Sequence, residues 1–378
     1  MTDSPLADPS IRPAAVAAAL ARVEGAPVEI LHMGSIADDR AATELKHIGY
    51  GEPALVRYRV GGRVGGREQR AVLHTMAPNW FGHDRRSDRA ALVLLAADTY
   101  AEVPRHTRVL DVGAFDARGE LVSLAGEGEF YLLTEYAEGT LYARDLRDLE
   151  VRGEATGRDV ARAGALASYL ADLHREPPGG AGDRAPELYR RALRDLIGSG
   201  EGLFGIADSY PEGGPVAAER LAAIEQRCVA FRWRLRGRSH RLRRTHGDFH
   251  PYNILFGEGA DFTLLDASRG GRGDPADDLA ALTINYVLGG VVYPGAWRRG
   301  LEPVWDAFWS TYLDTTRDRE VLEAIPPFFA WRALVVASPV WYPTLTPSMR
   351  DQLLTFAEQT LDAGTFDPAR TALELRER

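Results

Sequence analysis

Residues 245 to 282 read THGDFHPYNILFGEGADFTLLDASRGGRGDPADDLAAL, and His246, Asp248, Asn253 and Asp266 stand in it at short, unequal intervals. The first three fall on a loop punctuated by Gly247 and Pro251. The apolar runs Ile254 to Phe256 and Phe262 to Leu265, on either side of GEGAD, predict a hairpin with Asp266 at its exit. The chemistry this order suits is phosphoryl transfer to an alcohol. In that reaction one carboxylate accepts the hydroxyl proton, and oxygen ligands hold magnesium against the nucleotide phosphates. Asp248 is the candidate for the first task, Asn253 and Asp266 for the second. The five-residue step from Asp248 to Asn253 lets one short loop present both side chains to the same pocket. The asparagine supplies a neutral oxygen, which limits repulsion between carboxylates.

The protein-kinase catalytic loop, H-R-D-x-x-x-x-N followed by a magnesium-binding aspartate, has the same order. With glycine in the second place, His246-Gly247-Asp248 and Asn253 resemble the variant found in the aminoglycoside phosphotransferase and choline kinase-like family. Asparagine occurs three times in the chain and histidine nine times. A chance HGDxxxxN is therefore expected in on the order of one in a thousand such sequences, which makes the match specific.

The resemblance implies a two-lobed protein-kinase-like fold of the α+β class, with a small antiparallel-sheet N-lobe, a larger mainly helical C-lobe and the nucleotide between them. It implies ATP and Mg2+ as cofactors, magnesium on Asn253 and Asp266, and transfer of the γ-phosphoryl group to a small-molecule hydroxyl of aminoglycoside, sugar or amino alcohol type at Asp248. His246 would shape the loop. Asp278, the last aspartate of the GDPxxDLA segment, would brace it. Without the resemblance, Asp274 before Pro275 reads as a helix N-cap, and Asp277 and Asp278 as carboxylates favoured by the helix dipole. FYLLTEYAEG, residues 130 to 139, looks like the family's strand and hinge, where the backbone of Glu135, Tyr136 and Ala137 would meet a purine base. ASYLADLH, residues 167 to 174, looks like the helix ending in Leu-His that precedes the substrate region. Both patterns also fit ordinary core.

One place departs from the family. The second strand of the N-terminal hairpin should carry a phosphate-binding lysine two residues after a small apolar residue in the base pocket. Here the pair is Val72 and His74, with Arg70 one alternate step away, and Asp88 is the candidate acid to orient that cation or a plain first-turn helix carboxylate. Lys46 is the single lysine among 45 Lys and Arg residues. It precedes Gly49 to Gly51, which read either as a phosphate-covering loop or as a simple turn. His74 therefore motivates an alternative function, a catalytically silent kinase-like protein that binds nucleotide or another ligand. A second departure is DAS at 266 to 268, where the family commonly has a bulky residue after the aspartate.

The elements that must hold these residues follow from periodicity. Residues 11 to 25 predict a helix ending near Gly25. PALVRYRV and EQRAVLHTM alternate on either side of GGRVGGRE and predict a hairpin with Val56, Tyr58 and Val60 on one face. Residues 88 to 99 predict a helix with Leu92, Leu95 and Thr99 in register, and HTRVLDVGAF and GEFYLLTEY are strand-like runs completing a small sheet. After Gly139 the periodic segments are helical. One stripe runs through Val160, Ala163, Leu166, Leu170 and Leu173, another through Leu221, Ile224, Cys228, Phe231 and Leu235. The predicted division is an N-terminal nucleotide-binding lobe at 1–136 and a C-terminal catalytic and substrate-binding lobe at 137–378.

Composition excludes several classes. At 378 residues and 45% apolar content the chain holds enough for two cores and is neither disordered nor fibrous. One cysteine makes no internal disulfide, and no Cys/His cluster has zinc spacing. The uncharged stretch 279 to 297 is broken by Asn285, Gly289-Gly290 and Pro294, which argues for a buried helix and no membrane span. The start lacks a basic region followed by an apolar run, so a cytoplasmic location is expected. A net charge of −9 argues against nucleic acid and for small-molecule partners. The arginine-rich approach, Arg227, Arg232, Arg234, Arg236, Arg238, Arg241, Arg243 and Arg244, reads as a solvated helix face and turn. Five of seven tryptophans lie in the last third of the chain, as core or as a substrate wall. The sequence leaves open the acceptor, the choice of ATP or GTP, the oligomeric state, and whether His74 supports catalysis.

Overall fold

The computed structural model describes residues 11–35, 53–61, 66–79, 82–102, 104, 107–125, 134–175, 181–267 and 271–377. Lys46, the Gly49 to Gly51 loop, Ser268 and most of GEFYLLTEY lie outside the described residues. The chain divides into two compact units, Met1–Thr134 and Glu135–Arg378.

In the first unit, helix α1 (Pro13–Glu24) starts at a proline that costs no intrahelical bond and ends at Gly25, whose φ of 66° is the left-handed cap that a glycine adopts cheaply. Strands β1 (Val28–Ser35), β2 (Ala54–Val60) and β3 (Arg67–Leu73) form an antiparallel sheet in that order. Val56 and Tyr58 point to the α1 face, where they bury with Val16 and Leu20. Strand β1 is not evident from alternation, because a register shift between Ile30 and His32 leaves Leu31 as an extra residue, so Ile30 pairs with Tyr58 and Met33 with Val56. Helix α2 (Arg86–Thr99) has no buried residues, and the expected stripe residues Leu92 and Leu95 are exposed. HTRVLDVGAF is strand only over β4 (Gly113–Phe115), which pairs with β5 (Leu121–Ser123) in a separate two-stranded ladder and does not extend the main sheet.

The second unit opens with β6 (Thr140–Leu141), α3 (Tyr142–Arg152) and α4 (Gly157–Leu173). Helices α5 (Ala185–Gly198), α6 (Leu203–Asp208) and α7 (Ala218–Leu235) follow. The catalytic-loop region then gives β7 (Ile254–Phe256) and β8 (Phe262–Leu264), which pair with β6 in the order β6-β7-β8. The remainder is helical: α8 (Pro275–Val292), α9 (Glu302–Thr316), α10 (Val321–Ala324), α11 (Pro326–Ala337), α12 (Pro347–Ala363) and α13 (Pro368–Arg376). With small antiparallel sheets and a helix-dominated second unit, the architecture is α+β. The α4 and α7 stripes bury into one large core with α8, α9 and α11. Among the described residues no single helix is long and apolar enough to cross a membrane; the stretch at 279 is the buried helix α8.

Two sequence expectations need correction. Trp297, Trp305, Trp309 and Trp331 are buried, but Trp341 is 63% exposed and does not belong to the core. In the arginine approach Arg241 is the exception to a solvated face; Arg234 and Arg244 are exposed and the others half-buried, several of them paired. Arg227 pairs with Asp362, Arg234 donates to the carbonyls of Glu323 and Gly364, Arg238 pairs with Glu320 and Glu323, and Arg241 is buried. Arg232 and Arg236 lie over the Trp233 ring.

Candidate active site

The loop from Thr245 to Asn253 is tied down from three sides. Upstream, Arg243 and Gly273 exchange backbone hydrogen bonds (2.8 and 3.1 Å), and Thr245 N–H donates to Gly271 at 3.3 Å, so the GDP segment runs antiparallel to the approach of the loop. Gly247 takes φ of 83°, a left-handed turn that a side chain would strain, which gives the second position of the motif its glycine. Beneath the turn, Phe249 is fully buried, stacked on Tyr169 (6.1 Å, 11°) and edge-on to His246 (5.6 Å). That burial anchors the loop with about 1.5–3 kcal/mol.

Downstream, the first turn of α8 supplies two carboxylates with different tasks. Asp274 caps the helix by accepting from Ala276 N–H at 3.0 Å. It also accepts two bonds from the Arg241 guanidinium, both 2.8 Å, and one from the Tyr189 hydroxyl at 2.7 Å. Burial alone would lower the Arg241 pKa, and the Asp274 and Asp318 carboxylates outweigh it, holding the guanidinium above its ordinary value. Burial, then the Asp274 charge, pushes the Tyr189 phenol well above its usual range, so it remains a donor.

Asp278, 0% exposed, faces the loop itself. Its Oδ2 accepts from His246 N–H at 2.8 Å and lies 3.0 Å from His174 Nε2; its Oδ1 accepts from Gly247 N–H at 2.8 Å. His174 Nδ1 is 2.9 Å from the Tyr312 hydroxyl. The last residue of ASYLADLH is thus the support of the support.

His246 Nε2 donates to the Leu265 carbonyl at 2.9 Å, and Nδ1 accepts from Asp248 N–H at 3.3 Å. Both ring nitrogens are engaged in hydrogen bonds within the turn. Asn253 closes the short turn Pro251–Asn253 and donates Nδ2–H to the Asp248 carbonyl at 3.1 Å, so the amide nitrogen is spent on the loop and Oδ1 is the atom that could ligate a metal. Its own carbonyl accepts from Leu265 N–H at 2.9 Å, so β7 and β8 bring the residue before Asp266 onto Asn253. Asp266 is exposed and adopts φ of 45°, a left-handed conformation uncommon for a residue other than glycine. One neutral and one anionic hard oxygen suit magnesium, which keeps waters and takes further oxygens from substrate phosphates. Among the described residues no group of three or more His, Cys, Asp or Glu side chains makes a metal site on its own.

Asp248 is buried, and the partner of its carboxylate was missed by sequence reasoning. Arg332 of α11 places Nη1 2.7 Å from Asp248 Oδ1, with Nη2 3.2 Å from Asp277 and 3.4 Å from the Gly247 carbonyl. His250 Nε2 lies 3.5 Å from Asp248 Oδ2, and His250 Nδ1 accepts from Tyr252 N–H at 3.2 Å. A signal for Arg332 existed: it is the one charge in PPFFAWRALVVA, and an ionic group inside an apolar helix requires a buried partner.

The structure therefore gathers His246, Asp248, Asn253 and Asp278 into one hydrogen-bonded unit, with Asp266 at its edge. The remaining candidates lie elsewhere. Glu135, Tyr136 and Ala137 precede β6; Tyr136 is exposed and Ala137 half-buried. Val72 sits in β3 opposite Leu55, but the strand ends at Leu73. The expected alternation from Val72 to His74 therefore lacks a strand to carry it, and His74 is exposed. Asp88 accepts from Arg85 N–H at 2.8 Å, the first-turn helix role. A cavity of about 320 Å³ opens in the second unit, lined by His174, Arg241, Tyr312, Asp318 and Glu320 among others, and neither Asp248, Asn253 nor Asp266 borders it.

A profile of the phosphotransferase enzyme family (APH) matches residues 56–309, and the chain belongs to that family. It is accordingly a phosphotransferase of the small-molecule kinase type. No curated protein sequence matches the chain. Among solved structures, a choline/ethanolamine kinase family protein from Mesorhizobium loti is 16% identical, with 76% of this chain and 85% of that one covered and a TM-score of 0.35. A macrolide 2'-phosphotransferase from Brachybacterium faecium is 15% identical over 92% and 97%, with a TM-score of 0.30. An aminoglycoside phosphotransferase from Streptomyces rimosus, solved with ADP and streptomycin, is 18% identical over 61% and 68%, with a TM-score of 0.25. At these scores the likenesses carry no argument about the site.

Proposed function

We propose that this protein transfers the γ-phosphoryl group of ATP, with magnesium, to a hydroxyl of a small molecule of sugar, amino alcohol or aminoglycoside type. The observation that carries the reading is the joint presentation of Asp248 and Asn253 by one braced loop, with Asn253 Nδ2 bonded to the Asp248 carbonyl at 3.1 Å. The acceptor oxygen attacks the γ-phosphorus, the bond from that phosphorus to the β,γ-bridging oxygen breaks, ADP leaves, and the hydroxyl proton passes to the Asp248 carboxylate. Asp248 orients the hydroxyl and accepts its proton, a contribution of roughly 10² to 10⁴ in rate, and positioning supplies most of the rest. Asn253 and Asp266 would hold the magnesium, which when bound neutralises phosphate charge. The Glu135 to Ala137 backbone is the proposed contact for the nucleotide base; Val72 and His74, in the first unit, are proposed for base and phosphate on the sequence pattern alone.

The test is a screen for ADP formation with magnesium-ATP over sugars, amino alcohols, aminoglycosides and nucleosides. An acceptor that raises turnover well above background hydrolysis supports the reading. Nucleotide binding with no acceptor-dependent turnover would favour the silent module that the His74 position motivates.

A further inference from the structure

Arg332 reaches the reacting carboxylate from α11, 84 positions along the chain, and its surroundings argue against a purely structural part. Its side chain is 7% exposed and packs its guanidinium 4.0 Å from the centre of the Trp331 ring. Both Nη atoms are spent on the site: Nη1 on Asp248 Oδ1, Nη2 on Asp277 and the Gly247 carbonyl. Its Nε is buried with no acceptor among the described residues. A buried donor left unmet is unfavourable and calls for an explanation. A guanidinium serving stability alone would be placed to use all its donors. Here the side chain is aimed so that the fork meets the catalytic loop, at the expense of Nε.

The arrangement complements Asp278. That carboxylate holds the loop by the N–H groups of His246 and Gly247, while Arg332 holds the same turn by the Gly247 carbonyl and the Asp248 carboxylate. The turn is thus fixed by its donors on α8 and by its acceptors on α11. Arginine is suited to this because one planar fork meets three acceptors in fixed directions, which a lysine ammonium does not reproduce.

We propose that Arg332 is a positioning residue of phosphoryl transfer: by clamping Oδ1 of Asp248 it sets the plane in which the carboxylate meets the acceptor hydroxyl. This rests on the kinase reading above and deepens it. Arg332 touches no reacting atom itself and acts on the reaction through the placement of Asp248, so its effect belongs to kcat and is largely lost once Asp248 can no longer act.

The experiment is a double-mutant cycle on the full-length protein with an acceptor found in the screen, using Arg332→Met, Arg332→Lys and Asp248→Asn, with nucleotide affinity and melting temperature measured alongside. With the carboxylate freed, Arg332→Met lowers kcat about 10- to 100-fold, the range expected for misplacing a reacting group by about 1 Å. The nucleotide Kd changes less than about twofold, because no nucleotide contact is removed, and in the Asp248→Asn background the same substitution changes kcat by less than about twofold. Arg332→Lys retains the charge and the fold but not the fork, and loses kcat without loss of nucleotide binding. Millimolar guanidinium raises turnover of Arg332→Met and not of Arg332→Lys. Wild-type kcat in both Arg332 variants overturns the proposal, as does an equal loss in the Asp248→Asn background, which would place the effect in the fold at large. Should Arg332→Met not fold, the lysine variant decides by the same two readouts. A wild-type protein silent with every acceptor overturns the kinase reading and this proposal together; an active wild type with unaffected variants overturns this proposal alone.

Discussion

Replacing Asp278 with asparagine isolates what the brace contributes. The wild-type carboxylate accepts three bonds, from His246 N–H, Gly247 N–H and His174 Nε2, at 2.8, 2.8 and 3.0 Å. In the variant the amide oxygen can keep Gly247 N–H. His174 can adapt by moving its proton to Nδ1 and donating to Tyr312. His246 N–H cannot adapt, because it is left facing an NH2 group in a site with 0% exposure. A bond to a charged acceptor is worth about 1.5–3 kcal/mol and a stranded buried donor costs about 1–3, so we expect a loss of about 3–5 kcal/mol in stability. The loop that loses this bond carries Asp248 two residues on. A shift of about 1 Å there lowers kcat by roughly 10², or about 2.7 kcal/mol of barrier. Denaturant unfolding gives the first quantity, and ADP formation at saturating nucleotide and acceptor gives the second. An Asp278→Asn protein with the wild-type midpoint and turnover within about threefold would refute the brace.

Three further outcomes follow from the second unit. Burial, offset in part by Arg147, raises the Glu150 carboxyl from 4.5 to about 7. The folded state then binds more protons than the unfolded one between those values, so stability falls as pH rises from about 4.5 to 7 and is level above; discounted for solvent screening this is ~1–2 kcal/mol, which Glu150→Gln should restore at pH 8 and not at pH 4.5 in paired thermal melts. Arg241→Met leaves the Asp274 charge buried with only the Tyr189 hydroxyl and Ala276 N–H, and denaturant titration should read a loss of about 3–5 kcal/mol. Cys228 is buried and its thiol is pushed well up by that burial, so a thiol reagent should label the protein only in denaturant; labelling under native conditions at the rate of a free thiol would contradict the packing of α7.

What the sequence made legible was chemistry compressed into a few neighbouring residues. His246, Asp248 and Asn253 lie within eight positions, and local turn geometry alone brings them together. Asp278 stands on a capped helix whose first turn was readable from Asp274-Pro275. Helices α4 and α7 were readable because their stripes face one core, whereas the α2 periodicity marked a helix but not what its stripe faces, and Leu92 and Leu95 are exposed. Arg332 comes from 84 positions beyond Asp248, and only its isolation in an apolar helix hinted that it had a partner. Strand β1 was hidden by the extra residue at Leu31, which breaks the period-two pattern on which strand reading rests. The arginine run looked like a solvated face because helix periodicity is silent about acceptors on α12 and in the 318–323 segment.

Asp248 is the residue proposed to receive the acceptor hydroxyl. The most direct test of that role is kcat and nucleotide Kd for Asp248→Asn, measured with an acceptor that the wild type phosphorylates. The expected result is a fall in kcat of roughly 10² to 10⁴, with nucleotide affinity within about twofold of wild type. Unaltered turnover in the asparagine variant would contradict it.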